Sequence, residues 1–133
     1  MPKSELPSLS DAQLEILGII WDEGTTTVGQ VWKTLAERRP VSRNTVSTMV
    51  TRLEEKGWLR HRVVGGTFLY SATRPREKVL SRLVHRLVDA AFHGSAEGLV
   101  LALLEGGRLS AEEVERIKAT INKAEIERRE GGK

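Results

Sequence analysis

Residues 42–57, SRNTVSTMVTRLEEKG, decide how this chain reads. The stretch has a helix start and a helix stop. The Ser42 hydroxyl can accept from a free backbone N–H of a first turn. Gly57 stands where a left-handed residue ends a helix. Val46, Met49, Val50 and Leu53 recur at spacings of three and four, which puts them on one buried face. The other face carries Asn44, Thr45, Ser47, Thr48 and Thr51, with Arg43 and Arg52 at its flanks. Short hydrogen-bonding side chains edged by arginine suit a surface that enters a nucleic-acid groove, where long acids would meet phosphate. An ordinary solvated face has the same look, so the neighbours of the stretch decide between the two.

Upstream, Ser10–Glu23 reads as a first helix with capping-box spacing between Ser10 and Gln13. Leu14, Leu17, Ile20 and Trp21 form its apolar stripe, and Gly24 ends it. Thr25–Thr27 is a β-branched run able to add one short strand to a sheet. Thr27–Glu37 is a second helix, with Thr27 and Gln30 again at capping-box spacing and Val28, Val31, Trp32 and Leu35 facing inward. Arg38, Arg39 and Pro40 turn the chain into the third helix. Two helices joined by a short turn make a helix-turn-helix. Residues 1–8, with Pro2 and Pro7, read as a loose leader.

Downstream the period changes from helix to strand. Trp58–Val64 (WLRHRVV) alternates apolar and basic residues as a half-buried strand does. Gly65-Gly66 is a two-residue hairpin signal, and Thr67–Ser71 (TFLYS) is the return strand. The three helices and the hairpin form a winged helix-turn-helix over 1–74. The wing presents Arg60, His61 and Arg62 toward the phosphate backbone. Trp21, Trp32, Trp58 and Tyr70 read as packing residues.

Residues 75–133 form a second domain of three helices. Arg76–Phe92 carries Val79, Leu83, Val84, Leu87, Val88 and Ala91 as its apolar set. Ser95–Glu105 contains LVLALL, apolar all round, which demands burial on every side. Ser110 caps the last helix, striped by Val114, Ile117 and Ile121 and fraying from Glu125 onward. So small a bundle cannot bury LVLALL alone. A second copy can, through an isologous interface. Leu83, Leu87, Leu99, Leu101, Leu103, Leu104, Ile117 and Ile121 are the residues expected at that dimer interface. The fold class is therefore mainly α with a small β-hairpin wing.

Charge supports the polyanion reading. Arg38–Arg76 holds nine Lys or Arg against Glu54 and Glu55, a net of +7, while the remainder carries 12 against 16, or −4. A basic segment on a near-neutral chain is the footprint of a polyanion partner. No stretch has the roughly 18 apolar residues of a membrane span, and the N-terminus lacks a signal-peptide core. The expected location is the cytoplasm, without direct membrane binding. The absence of cysteine removes disulfides, thiolate metal sites and cysteine nucleophiles. No nucleophile elbow, HExxH or phosphate-cradling glycine loop is present, so an enzyme is not expected and no cofactor is implied. His85, Asp89 and His93 share helical spacing, but His93 lies at a helix end and Asp89 can pair with His85 or Arg86. No metal site is assigned.

Five segments in order resemble the BlaI/MecI/CopY group, the penicillinase-repressor family of bacterial transcriptional repressors. They are LSDAQLEILGIIW at 9–21, VGQVWKTL at 28–35, NTVSTMVTRLEEKGWL at 44–59, FLYSATRPRE at 68–77 and SAEGLVLALLEGGRLSAEEVERI at 95–117. The resemblance implies a homodimeric repressor on a palindromic operator in double-stranded DNA. It also implies release by proteolysis inside the dimerisation domain, after signalling by a membrane metalloprotease sensor. The cut bond maps to Ala102-Leu103, where well-described members carry Asn-Phe. Copper-responsive members carry a cysteine pair near the C-terminus, and this chain has none.

In that reading Arg43 and Arg52 contact phosphate, as do Arg60 and Arg62 from one side of the wing. Asn44, Thr45, Ser47 and Thr48 approach base edges in the major groove. Competing readings are a winged-helix regulator that senses a small molecule in a pocket between its halves, and a winged helix used for protein–protein assembly. RNA fits less well, because a protruding helix suits the wide major groove of B-DNA.

Overall fold

The computed structural model describes residues 6–131. The chain divides into two compact units, one ending at Arg82 and one beginning at Leu83. That division falls inside a helix, eight residues beyond the 74/75 boundary expected from the linker at 72–75.

The first unit runs α1 (Asp11–Glu23), β1 (Thr25–Thr26), α2 (Val28–Ala36), α3 (Arg43–Glu55), β2 (Leu59–Val64) and β3 (Thr67–Ala72), then enters α4 (Arg76–Ala91). Each of the first three helices starts where a hydroxyl meets an orphan amide. Ser10 Oγ accepts from Gln13 N–H, and the Gln13 side chain accepts in return from Ser10 N–H at 2.9 Å, closing a capping box. Thr27 caps α2 through Gln30 N–H, and Ser42 caps α3 through Thr45 N–H. Gly57, at φ +94°, follows the end of α3. That left-handed backbone favours glycine, and a Cβ there would stand 3.1 Å from Leu6 Cδ2, a tight contact.

The core of this unit is Ile16, Leu17, Ile19 and Ile20 from α1, Val31 and Leu35 from α2, Val46, Val50 and Leu53 from α3, and Leu59 and Tyr70 from the sheet. The expected inward faces of α2 and α3 are the observed ones. In α1 the buried set is wider than a stripe. Leu14 and Trp21 are only half-buried, while Ile16 and Ile19 are buried. The cause is position, because α1 touches α2, α3, β1 and β3 and is covered through a broad arc.

The sheet has the order β1-β3-β2, all antiparallel. Thr26 pairs with Tyr70, and β2 pairs with β3 from Leu59↔Ala72 out to Val64↔Thr67. Gly65 and Gly66 both have positive φ, as a two-residue type I′ turn requires. The strand expected at Trp58 starts at Leu59, and it is not half-buried. Leu59 alone of β2 is buried, and Val63, Val64 and Phe68 are exposed. The hairpin therefore projects past the core that holds its base.

Three indoles fasten irregular segments to this unit. Trp58 Nε1 donates to Pro7 O, Trp32 Nε1 to Val41 O and Trp21 Nε1 to Arg74 O, each at 2.9 Å. Lys56 Nζ adds a contact of 3.4 Å to Ser8 O. The leader expected to be loose is thus held at residues 6–8, while its first five residues lie outside the described ones.

The second unit holds the rest of α4, with α5 (Ala96–Glu105) and α6 (Ala111–Gly131). α4 ends in a turn of two left-handed residues, His93 and Gly94. Gly94 N–H bonds Val88 O at 3.0 Å, across His93 at φ +53°. Ser95 caps α5 and Ser110 caps α6. α6 does not fray at Glu125 but continues to Gly131, with Glu125 paired to Arg128 and Arg129 one turn on. LVLALL is not buried on every side. Val100, Leu101, Leu103 and Leu104 are exposed, and Leu99 is half-buried. Among the described residues no single helix is long and apolar enough to cross a membrane.

Candidate nucleic-acid interface

The helix-turn-helix places α3 with one face in the core and the other in solvent. At 100° per residue, Asn44, Thr48, Thr51 and Glu55 fall along the outermost stripe, opposite Val46, Val50 and Leu53. The residues expected to read bases differ in their freedom. Among the described residues the Asn44 and Thr48 side chains are exposed and engaged in no hydrogen bond. The Thr45 hydroxyl lies 2.8 Å from Ser42 Oγ and shares in the cap. Ser47 is half-buried. Thr51 lies on the outward stripe but turns its hydroxyl back onto Ser47 O at 2.9 Å. Two of the four candidates therefore carry unspent hydrogen-bonding groups at the surface.

The basic residues also separate. Arg43 and Arg52 are both exposed. A Cβ on Gly29 would stand 3.0 Å from Arg43 Nη2, so the guanidinium lies across the first turn of α2. Arg38 and Arg39, in the turn before α3, bond the two carboxylate oxygens of Glu15 on α1 at 3.1 and 2.5 Å. The Arg39 hydrogen bond is the main influence holding the Glu15 carboxyl below its usual range, with Arg38 adding to it. These two arginines brace the turn and contribute less to a polyanion surface than the +7 count implies. No sequence spacing links Glu15 to them; the contact needs α1 packed against the turn.

On the wing, pairing register sorts the side chains. Arg60, Arg62 and Val64 share one face with Ser71, Leu69 and Thr67. Both arginines are exposed. His61 and Val63 occupy the other face with Tyr70 and Phe68. His61 does not stand with the two arginines as a third basic group. Its Nδ1 lies 2.6 Å from Glu54 Oε2 on α3, and its ring stacks on Phe68 with centroids 4.2 Å apart. Burial is the main cause that raises the Tyr70 phenol above its usual range, with the Glu54 charge adding to it.

A family model described as penicillinase repressor matches residues 9–123, from before α1 to well within α6. The chain belongs to the penicillinase repressor family. A penicillinase repressor of Bacillus licheniformis is 31% identical over 110 residues, covering 83% of this chain and 86% of that protein. The methicillin resistance regulatory protein MecI of Mammaliicoccus sciuri is 24% identical over 115 residues, 86% of this chain and 94% of its own length. The solution structure of the DNA binding domain of the repressor BlaI superposes with a TM-score of 0.50 at 33% identity, over 54% of this chain and 88% of that one. A crystal structure of a mutant of MarR from E. coli with operator DNA gives 0.54 at 22% identity, over 88% of this chain and 76% of that one, a likeness of fold. Within the penicillinase repressor fold the three helices and wing are thus those of winged-helix repressors.

His85, Asp89 and His93 do not share one helix face, because His93 lies beyond α4 in the left-handed turn. Among the described residues no group of three His, Asp or Glu could hold a metal ion.

Proposed function

We propose that this chain is a DNA-binding transcriptional repressor that acts as a homodimer on an operator with dyad symmetry. The carrying observation is the outward face of α3. Asn44 and Thr48 stand exposed and unengaged between Arg43 and Arg52, and the wing adds Arg60 and Arg62. α3 enters the major groove, where Asn can pair with adenine N6 and N7 and a Thr methyl can pack on thymine. The four arginines contact phosphate and set register. Two copies place two such helices roughly 34 Å apart on one side of the duplex.

Dimerisation rests on α4, α5 and α6. Leu87, Leu101, Leu103, Leu104, Ile117 and Ile121 are exposed apolar residues, with Leu83 and Leu99 half-buried beside them. So much apolar surface on one small unit calls for a partner, and a second copy supplies the same surface by symmetry. Derepression follows from cutting Ala102-Leu103 by a protease under a membrane sensor. That bond lies in the second half of α5, and both its residues are exposed. A protease takes extended backbone, so the cut requires local unfolding of α5.

The test is footprinting and binding on the promoter upstream of the chain's own gene, at several salt concentrations. The expected result is a protected dyad with half-sites one helical turn apart and affinity falling steeply with salt. Asn44→Ala should cost about 1–3 kcal/mol of discrimination at one base pair, and Thr48→Ala, which loses a single contact, less than that. No specific protection there, and no duplex recovered by selection from random sequence, would overturn the proposal.

A further inference from the structure

We infer that His61 is a positioning residue, which sets the angle of the wing to α3 through Glu54. The inference rests on the DNA-binding reading above.

The hairpin needs such a hold. Its base is anchored by Leu59 and Tyr70, which are buried, but the pairs farther out, Arg62↔Leu69, Val63↔Phe68 and Val64↔Thr67, have no buried member. A two-stranded ribbon held only at its base can twist and swing about it. Arg60 and Arg62 ride on that ribbon, and their distance from α3 fixes whether wing and helix meet one duplex together.

His61 stands where it can stop the swing. It faces α3, on the side of β2 away from Arg60 and Arg62. Nδ1–H donates to Glu54 Oε2 at 2.6 Å, a charge-assisted bond between the last turn of α3 and the wing. The imidazole lies nearly parallel to the Phe68 ring, 9° apart, and the Tyr70 ring sits 5.4 Å away. The ring is therefore fixed at its edge by a helix and on its face by the opposite strand. Its geometry carries the orientation of α3 into both strands.

The same bond settles Glu54. Glu54 and Glu55 are the two acids in this basic stretch, and both lie at the C-terminal end of α3, where the helix dipole disfavours them. Glu55 is exposed on the outward stripe. Glu54 is turned toward the wing and held by His61, so its charge joins two elements instead of facing solvent.

The experiment uses the full chain and a duplex recovered by selection from a random-sequence pool. Binding is measured for wild type, His61→Ala, the Arg60→Ala/Arg62→Ala double variant and the triple variant. His61→Ala should weaken binding about fivefold and make it less steep in salt. In the background lacking both arginines, the same change should cost less than about 1.5-fold. His61→Gln, whose amide can donate to Glu54, should recover most of the loss. An equal loss in both backgrounds, or no loss in either, would overturn the inference.

Hydrogen exchange on the free protein reads the hold without DNA. His61→Ala should speed exchange in β2 and β3 while α1 and α2 stay protected. Unchanged exchange in the wing overturns the inference, whatever happens with DNA. If wild type binds no duplex while exchange changes as expected, the DNA-binding reading fails and the hold on the wing stands.

Discussion

The two units use the same apolar residues to opposite effect. In the first, Ile16, Leu17, Ile20, Leu35, Val46, Val50 and Leu53 have no exposed surface at all. In the second, among the described residues, Val88 is the only buried apolar side chain, while Leu101 is 54% and Ile121 59% exposed. Composition does not cause this, because LVLALL is more apolar than any stretch of α1 to α3. The difference lies in layers. α1 is covered by two helices and a sheet, whereas α5 and α6 have too few neighbours to cover them. One unit covers its apolar side chains with its own chain, and the other leaves most of them exposed.

Four measurements would break or sharpen that contrast. The largest effect belongs to the finished core. Leu53→Ala should cost about 2–5 kcal/mol in urea unfolding, with the loss independent of protein concentration. Second, Leu101→Ala should barely alter that core but should weaken self-association about tenfold or more, seen by sedimentation across a dilution series. If Leu101→Ala instead costs as much as Leu53→Ala at every concentration, the second unit is self-sufficient and the contrast fails.

The third effect is smaller. His93 holds a left-handed conformation that glycine adopts freely. His93→Gly should stabilise the second unit by up to about 0.5–1 kcal/mol in thermal unfolding, offset in part by glycine's greater freedom when unfolded. The smallest effect lies between α1 and the turn. The Glu15 carboxyl is held below its ordinary 4.5, first by the Arg39 hydrogen bond. A depressed carboxylate adds stability above its unfolded value, and that stability disappears as pH falls through the folded one. Glu15→Gln should therefore cost about half a kcal/mol or less at neutral pH, since the arginines are well exposed. The difference from wild type should vanish in acid below the usual carboxylate range, which unfolding at stepped pH would read.

Legibility followed the same division. Ser10, Thr27, Ser42, Ser95 and Ser110 announce their helices because a cap acts within one turn of itself, and Gly65-Gly66 announces the hairpin for the same local reason. The inward faces of α2 and α3 were readable because each has one covered side. What resisted reading is what joins distant stretches. Glu15 meets Arg38 and Arg39 across 23 and 24 residues. Glu54 meets His61 only once the strand leaves α3 at the right angle. The exposure of Val63 and Phe68 depends on how far the hairpin outruns the core, which alternation does not encode. At α6, ion pairs one turn apart continue a helix that composition marks as a frayed tail. At the interface, the helix face was legible as a face, but which of Asn44, Thr45, Ser47 and Thr48 stay free depended on the cap hydroxyl and on the depth of Ser47.

The three indoles have a spectroscopic consequence. Each stands at a different seam of the first unit, with its N–H on a backbone carbonyl: Trp58 at the leader, Trp32 at the turn before α3 and Trp21 at the segment leading into α4. There is no other tryptophan in the chain. Intrinsic fluorescence thus reports on the joints rather than on the core. Three chains, each keeping one tryptophan with the other two replaced by phenylalanine, would resolve which joint loosens first as the protein is heated, diluted or cut.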